Sequence, residues 1–264
     1  MRKPKVIVLR TAGTNCDYET VHAFQTAGAD VDLVHINQLI RKEKELSAYQ
    51  ILTLPGGFSY GDDIAAGKIL ANELKYKLRE PVEQFVADGK LMIGICNGFQ
   101  VMVKAGLLPG FNGISRVQET TLYTNDSGRF ECRWVYLKHT DNGKCIFTRN
   151  IKDIIYLPVA HGEGKFTAVD EKTLDALEAN DQVVLKYVDP DGDCASYPWN
   201  PNGSDRNIAG ICDSTGRIFG LMPHPERYLT RYNHPRWTRE KLEDEGDGVA
   251  IFRNAVEYAM RELL

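Results

Sequence analysis

The sequence has no apolar run long enough to cross a membrane. Its first apolar stretch, Val6-Ile7-Val8-Leu9, is too short for the hydrophobic region of a secretory signal, and Arg10 closes it. We therefore expect a cytoplasmic protein that makes no membrane contact.

Cysteine pairs at the usual metal-binding spacing are also missing. The six cysteines stand at positions 16, 96, 132, 145, 194 and 212, and no CxxC pair occurs, so zinc-ribbon and thioredoxin-like sites lack support. In a reducing cytoplasm we expect free thiols. The sequence contains neither a P-loop nor a dinucleotide fingerprint. We therefore predict no metal site and no cofactor in this chain.

The charge is not strongly biased to one sign. A formal net charge of -4 gives no reason to expect nucleic acid as a partner. Hydrophobic residues at 43% and charged residues at 26% are ordinary for a globular protein, so nothing argues for disorder. The 264 residues suffice for one α/β domain with insertions, and we predict a single domain over 1–264.

The sequence does contain a cysteine flanked by glycines at the end of an apolar run. Leu91-Met92-Ile93-Gly94-Ile95 predicts a buried strand, and the residues after Cys96 favour a helix. Gly-x-Cys-x-Gly is the cysteine form of the nucleophile elbow, in which small residues let the strand and helix approach closely. On its own, the pattern fits a buried structural cysteine about equally well.

An elbow would give Cys96 a chemical advantage. The N-terminus of a helix favours the thiolate over the thiol. The next backbone amide, from Asn97, would point to where an oxyanion forms. Gly57, in the Pro55-Gly56-Gly57 turn after a predicted strand at 51–54, could supply the second oxyanion-hole donor.

A nucleophilic cysteine needs a base, and the base needs an orienting group. His224 and Glu226 are separated by Pro225 alone, and side chains two apart on an extended backbone project to the same side. Proline restricts φ and stiffens the link. Alone, His-Pro-Glu is more often a surface turn. Here it follows the apolar stretch 218–221, and the elbow lies upstream in the chain. In that context it predicts a base and the group that orients it.

The order of predicted elements indicates the fold class. Short apolar strands at 5–9, 31–35, 51–54 and 91–95 alternate with helices. The connection between the third and fourth strands is helix-rich from 63 to 87, and we predict a helix break at Pro81. This predicts a flavodoxin-like α/β fold, with a mostly parallel sheet and helices on both faces. After Gly110, additional short strands follow in the C-terminal half.

Sites in such sheets lie beyond the carboxyl ends of the strands. Loops 10–16 and 55–62 should therefore share one sheet edge with the elbow.

Gly-Ile-Cys-Asn-Gly-Phe-Gln at 94–100, together with His-Pro-Glu at 224–226, resembles the class I glutamine amidotransferases. Further segments are similar to one branch of that family, the glutaminase subunits of phosphoribosylformylglycinamidine synthases. These segments are Gly57-Phe58-Ser59-Tyr60-Gly61-Asp62, Arg129-Phe130-Glu131, Pro158-Val159-Ala160-His161-Gly162-Glu163-Gly164, Asn200-Pro201-Asn202-Gly203-Ser204 and Met222-Pro223-His224-Pro225-Glu226-Arg227.

The resemblance implies a catalytic triad of Cys96, His224 and Glu226. It implies hydrolysis of glutamine to glutamate and ammonia, and Gln100, four residues after Cys96 on the same helix face, as a substrate-binding residue. The ammonia would pass to a synthetase subunit that converts formylglycinamide ribonucleotide to formylglycinamidine ribonucleotide in purine biosynthesis. A small bridging subunit would complete the complex, and ATP and magnesium would bind the synthetase.

Several alternatives stay open. A cysteine-elbow hydrolase of the DJ-1 or PfpI kind usually has histidine directly after the cysteine, where this chain has Asn97. A catalytically silent regulatory subunit is the third possibility. Cys16 also precedes a predicted helix, although no partner can be named for it from the sequence. His161 and Glu163 could line the site, and Glu163 could compete with Glu226 as the orienting group.

Overall fold

The structure, a computed structural model, describes residues 2–194 and 196–264. Its strands are β1 (Lys5–Arg10), β2 (Asp30–His35), β3 (Ile51–Leu54), β4 (Leu91–Ile95), β5 (Thr120–Tyr123), β6 (Glu131–His139), β7 (Ile154–His161), β8 (Lys165–Ala168), β9 (Val183–Val188), β10 (Ile208–Cys212) and β11 (Ile218–Leu221). Its α-helices are α1 (Asp17–Thr26), α2 (Ile36–Ile40), α3 (Lys68–Tyr76), α4 (Arg79–Ala87), α5 (Asn97–Ala105), α6 (Glu171–Ala179) and α7 (Val249–Glu262).

Nine strands form one central sheet in the order β2-β1-β3-β4-β11-β10-β9-β6-β7. The first five are parallel to one another, and across the whole sheet only β6 and β10 run against the others. Strands β5 and β8 form a separate antiparallel pair. The predicted mostly parallel sheet, with additional strands from the C-terminal half, is confirmed.

The central parallel strands are almost entirely apolar because both of their faces are covered. Every residue of β3, β4 and β11 is buried. Helices α1 and α7 pack against each other, with Phe24 and Phe252 in an edge-to-face contact at 5.0 Å between ring centroids. Helix α3 packs on α5, which follows the elbow.

The predicted helix break at Pro81 is wrong. Helix α3 ends at Tyr76 and α4 begins at Arg79, so Pro81 lies in the first turn of α4. A proline is tolerated there because the first N–H groups of a helix have no acceptor within the helix.

Helix α6 was not predicted, although its start carries a signal. Asp170 caps the helix by accepting a hydrogen bond from the backbone N–H of Thr173 at 2.9 Å, which is a common N-terminal pattern.

The polar segment 230–247 covers the edge of the sheet that strand β7 forms. Strand β7 is an edge strand, and Asp247 accepts a hydrogen bond from the N–H of Tyr156 at 2.9 Å. The His234 ring packs against the rings of Trp134 and Tyr156. An uncovered edge offers unpaired N–H and C=O groups to other chains, so this segment protects the sheet from edge-to-edge pairing.

Among the described residues, no helix combines the length and the apolar character that a membrane crossing needs.

The glycines around Cys96 are required by the approach of α5 to the sheet. A Cβ atom added to Gly98 would lie 1.8 Å from the carbonyl oxygen of Leu54. One added to Gly94 would lie 2.7 Å from the backbone of Gly98 and from the sulfur of Met102. Strand β4, strand β3 and helix α5 therefore meet at a distance that excludes side chains.

We predict that Gly98→Ala lowers the free energy of unfolding by about 3 kcal/mol, because the new methyl group must push the helix away from Leu54. Urea denaturation measures the change. Gly162→Ala is the matched control, since its Cβ would meet only the Phe130 ring, at 3.9 Å. Equal stability losses in the two variants would contradict the close-packing explanation.

Candidate active site

Cys96 occupies the turn between β4 and α5 with φ 51° and ψ -106°, a conformation that L-residues rarely adopt. Its N–H donates to the carbonyl of Leu221 on β11 at 2.8 Å. Its sulfur lies 3.7 Å from the carbonyl oxygen of Ala160 on β7. The predicted elbow is therefore present, and strained backbone of this kind persists at functional sites because the surrounding structure holds it.

His224 and Glu226 form a buried pair. Nδ1 of the imidazole lies 2.6 Å from a carboxylate oxygen of Glu226, and both side chains are at most 2% exposed. The N–H of His224 donates to the carbonyl of Pro158 at 2.8 Å, which fixes the backbone against β7. Residues Pro225–Arg227 form a 3-10 turn, so the expected extended backbone is wrong. The turn brings the two side chains together instead.

The His224 imidazole is held towards its charged form. Burial disfavours the cation, but the Glu226 carboxylate and the sulfur of Cys96 outweigh that cost and raise the pKa of His224 well above its ordinary value. Nε2 has no partner in hydrogen-bond geometry among the described residues. Catalytic hydrogen bonds are often long before substrate binds.

Gly57 lies where loops 55–62 and 10–16 cross. Its φ is +138°, and a Cβ there would lie 2.6 Å from the backbone nitrogen of Asn15, so the position requires glycine. The N–H of Phe58 donates to the carbonyl of Gly13 at 2.9 Å, and that of Cys16 to Gly56 at 3.2 Å. The expectation that these loops share one sheet edge is confirmed. The oxyanion-hole role of Gly57 and Asn97 stays a prediction.

The side chains of Asn97 and Gln100 connect two loops of the site. Asn97 Oδ1 accepts from the N–H of Ser59 at 3.1 Å, and Asn97 Nδ2 donates to Gln100 Oε1 at 2.9 Å. Gln100 Nε2 donates to the carbonyl of Glu163 at 2.5 Å. Gln100 therefore already binds the protein at both ends of its amide, and its role as a ligand of glutamine stays a prediction.

His161 lies in a buried polar network that the sequence did not reveal. Its ring contacts Asn125 at 3.2 Å and Asn202 at 3.5 Å, and Asn202 donates to the Tyr187 hydroxyl at 3.2 Å. Burial, with a further contribution from the charge of His224, lowers the pKa of His161 to about 3. Its ring therefore stays neutral. The signal in the sequence was the motif Ala-His-Gly-Glu-Gly, which had no assigned role.

Glu163 does not take the place of Glu226. Glu226 holds His224 at 2.6 Å, whereas the charge of Glu163 acts on Asp62 and Lys104. The pKa of Asp62 is raised by burial and by the negative charge of Glu163. Glu163 thus lies next to Gln100, whose side chain donates to its carbonyl.

Cys16 lies on the Nδ1 side of the His224 imidazole. Its sulfur is 4.0 Å from His224 Nδ1 and accepts a hydrogen bond from Arg227 Nη2 at 3.1 Å. Asn15 Oδ1 is 3.3 Å away. Burial raises the pKa of the Cys16 thiol, although His224 and Arg227 oppose this. The sequence named no partner for Cys16, and the fold gives it the same histidine that faces Cys96.

Comparison with known proteins identifies the family. Residues 3–259 match the CobB/CobQ-like glutamine amidotransferase domain. The chain is 52% identical to the phosphoribosylformylglycinamidine synthase subunit PurQ of Dehalococcoides mccartyi, over 98% of this chain and 99% of that protein. The chain belongs to the PurQ family of glutamine amidotransferases. The PurQ subunit of Archaeoglobus fulgidus is 49% identical, with 96% of each chain covered.

A solved structure agrees with this family. A chain of the Thermotoga maritima PurLQS structure superposes with a TM-score of 0.73 and 32% identity, covering 97% of this chain and 99% of that one. A further glutamine amidotransferase from the same organism, with a TM-score of 0.56 and 16% identity, shares the fold. The resemblance to glutaminase subunits is confirmed, and the DJ-1 or PfpI alternative is set aside.

The low pKa of His161 predicts an acid-sensitive fold. His161 stays neutral when folded but binds a proton below about pH 6.5 when unfolded. Its contribution to stability is therefore present above pH 6.5 and is lost as the pH falls towards about 3. The free energy of unfolding then falls by about 1.4 kcal/mol for each pH unit. His224 does not mask it between pH 6 and 4, because a raised pKa changes stability only above the unfolded value.

Urea unfolding of the wild type and of His161→Gln at pH 6, 5 and 4 tests this slope. The free energy of unfolding of the variant should depend less steeply on pH, by the slope that the uptake of about one proton produces. This difference in slope does not depend on the stability of the variant at neutral pH. His22→Gln, which alters a solvent-exposed histidine on α1, is the matched control. Parallel curves for the wild type and His161→Gln would show that the buried imidazole is not the source.

Proposed function

We propose that this chain hydrolyses glutamine through Cys96, His224 and Glu226 and supplies the ammonia to a phosphoribosylformylglycinamidine synthetase partner. The observation that carries this is the Glu226–His224 pair beside a strained elbow cysteine, in a chain of the PurQ family. A catalytically silent regulatory subunit would not need to keep a buried charged pair next to that cysteine, since such a pair is costly to bury.

The first half of the reaction forms a thioester. Cys96 transfers its proton to His224, and the thiolate attacks the side-chain amide carbon of glutamine. The oxyanion forms near the N-terminus of α5, where the N–H groups of Asn97 and Gly57 are the proposed donors. Each such donor is worth about 3 kcal/mol of barrier. His224 then protonates the departing nitrogen, and ammonia leaves.

The second half releases glutamate. His224, now neutral, takes a proton from water as the water attacks the thioester carbon. The tetrahedral intermediate collapses, the C–S bond breaks, and the proton on His224 returns to the sulfur of Cys96. Glu226 keeps the ring oriented in both halves and transfers no proton. Gln100 is the proposed ligand for the polar groups of glutamine.

The partners follow from the same family. The related Thermotoga maritima chain belongs to an assembly named PurLQS, which supports a complex with a synthetase subunit and a small bridging subunit. ATP and magnesium would act on the synthetase. Ammonia is useful there only if it arrives before bulk water protonates it, so the exit should lie on the sheet edge that carries the elbow and loop 55–62. The six free thiols fit the expected cytoplasmic location.

We expect a glutamine-analogue electrophile to label Cys96, because the elbow presents this sulfur beside His224. Peptide mapping by mass spectrometry locates the label. Cys96→Ser should take up no label in the active-site peptide, while Cys16→Ser, the matched control, should still be labelled at Cys96. Labelling that falls mainly on Cys16 would overturn the assignment of the nucleophile.

His224→Ala should abolish glutamine-dependent synthesis in the assembled complex, and Glu226→Ala should reduce it less, because Glu226 only orients the ring. Both complexes should keep synthesis from added ammonium salt, since that chemistry takes place on the partner. Steady-state rates with glutamine and with ammonium salt make the comparison. An equal loss of both activities in an assembled His224→Ala complex would refute the separation of the two sites.

A further inference from the structure

Three potential metal ligands meet at the catalytic histidine from distant parts of the chain. Cys16 comes from the loop between β1 and α1, whereas His224 and Glu226 follow β11. One ligand atom from each lies within 4.8 Å of the other two, and all three residues are buried. The sequence predicted no metal site because it has no CxxC pair, whereas this cluster joins residues more than two hundred positions apart.

The ligand chemistry suits zinc. Thiolate sulfur, imidazole nitrogen and carboxylate oxygen are the three donor types that hold Zn²⁺ in proteins, with a water in the fourth position of an open site. The second carboxylate oxygen of Glu226 is buried and has no hydrogen-bond partner among the described residues. A buried carboxylate oxygen left without a partner is unusual and gains from a cation.

The local charges also favour a divalent cation. The Arg227 guanidinium, 3.1 Å from the Cys16 sulfur, stabilises the thiolate but repels a metal ion. Glu19 lies 3.3 Å from the same guanidinium and offsets its charge. With Cys16 as thiolate and the metal-bound His224 ring neutral, the two carboxylates and one guanidinium leave two net negative charges around the cluster, which one Zn²⁺ neutralises.

Position 56 is glycine, so no side chain from that residue enters the space beside the ligands. A Cβ added to Gly56 would lie 3.1 Å from the Cys16 sulfur and 3.3 Å from His224 Nδ1. A larger residue would close this side of the cluster. The loop that carries Cys16 is exposed at Gly13 and Asn15, so it offers a route of entry from solvent.

We propose that Zn²⁺ binds Cys16, His224 and Glu226 and reversibly inhibits the enzyme. Binding releases two protons to solvent, the thiol proton of Cys16 and the Nδ1 proton of the His224 imidazolium, and Nδ1 then binds the metal instead of donating to Glu226. The neutral ring then carries its proton on Nε2, so it cannot accept a proton from Cys96. The inhibitory consequence rests on the proposed glutaminase mechanism, whereas the metal site itself does not.

Equilibrium dialysis with zinc chloride tests the site without any need for activity. The protein is Cys96→Ser, which removes the nucleophile as a competing ligand. It should bind one zinc ion per chain at this cluster, and adding Cys16→Ala should weaken that binding by about 100-fold or more, because losing even an outer-shell partner costs 10–100-fold. Cys16→Ser, which keeps the size of the side chain, should also weaken it. Circular dichroism checks that each variant is folded.

The matched control is Cys132→Ala in the same background, since Cys132 is an exposed thiol outside the cluster. It should keep the cluster's zinc. If both Cys16 variants bound zinc as tightly as the Cys132→Ala control, the site would lie elsewhere and the proposal would be overturned.

Inhibition is measured with Cys96 intact. Zinc should inhibit the glutaminase activity of the wild type, and a chelator should restore that activity. Inhibition of each protein is expressed relative to its own rate without zinc. The zinc concentration that gives half inhibition should be about 100-fold higher for Cys16→Ala than for the wild type. Unchanged inhibition in Cys16→Ala would place the inhibitory metal on Cys96 and refute the regulatory role. An enzyme without glutaminase activity, but with Cys16-dependent zinc binding, would refute the proposed function and leave the metal site standing.

Discussion

The structure depends on the close approach of α5 to the parallel sheet. Glycine at 94 and 98 lets the helix backbone lie against the carbonyl of Leu54, and that approach leaves Cys96 a turn too tight for ordinary backbone angles. The strain is local, and tight packing of β3, β4 and α5 maintains it. The same packing sets the sulfur at the carboxyl end of the strands. Every other part of the candidate site is arranged around this point.

His161 and His224, both buried, show how the environment gives one residue type two protonation states. His224 has a carboxylate at 2.6 Å, and this partner raises its pKa despite complete burial. His161 contacts the side-chain amides of Asn125 and Asn202, and burial together with the charge of His224 lowers its pKa to about 3. The His224 ring is therefore held towards its charged form, whereas the His161 ring stays neutral.

The antiparallel extension of the sheet builds one side of the site. Strand β7 supplies the carbonyl of Pro158, which fixes the backbone of His224, and that of Ala160, which faces the Cys96 sulfur. The turn after β7 receives the Gln100 side chain. Segment 230–247 covers the outer edge of this strand and so stabilises the strand that holds the His224 backbone.

The sequence by itself determined the elements that depend on local patterns. Continuous apolar runs marked β3, β4 and β11 because buried parallel strands need no polar face, and the glycines at 94 and 98 indicated the elbow. His224 and Glu226 could be paired because they are two residues apart, although the backbone between them is a turn and not a strand. Helix α6 was not predicted because its few apolar residues form a weak helical pattern. The predicted helix break at Pro81 was misplaced because a proline also suits the first turn of a helix.

Only the tertiary structure decided which distant groups share the imidazole. Cys16 and Cys96 both face His224, although these cysteines are 80 positions apart and His224 follows much later. No spacing rule connects them, since the order of the strands in the sheet sets their separation in space. The same holds for His161, whose pKa depends on complete burial and on the charge of His224. Burial and partner distance are properties of the packed chain, and they decide which of these residues carries a proton.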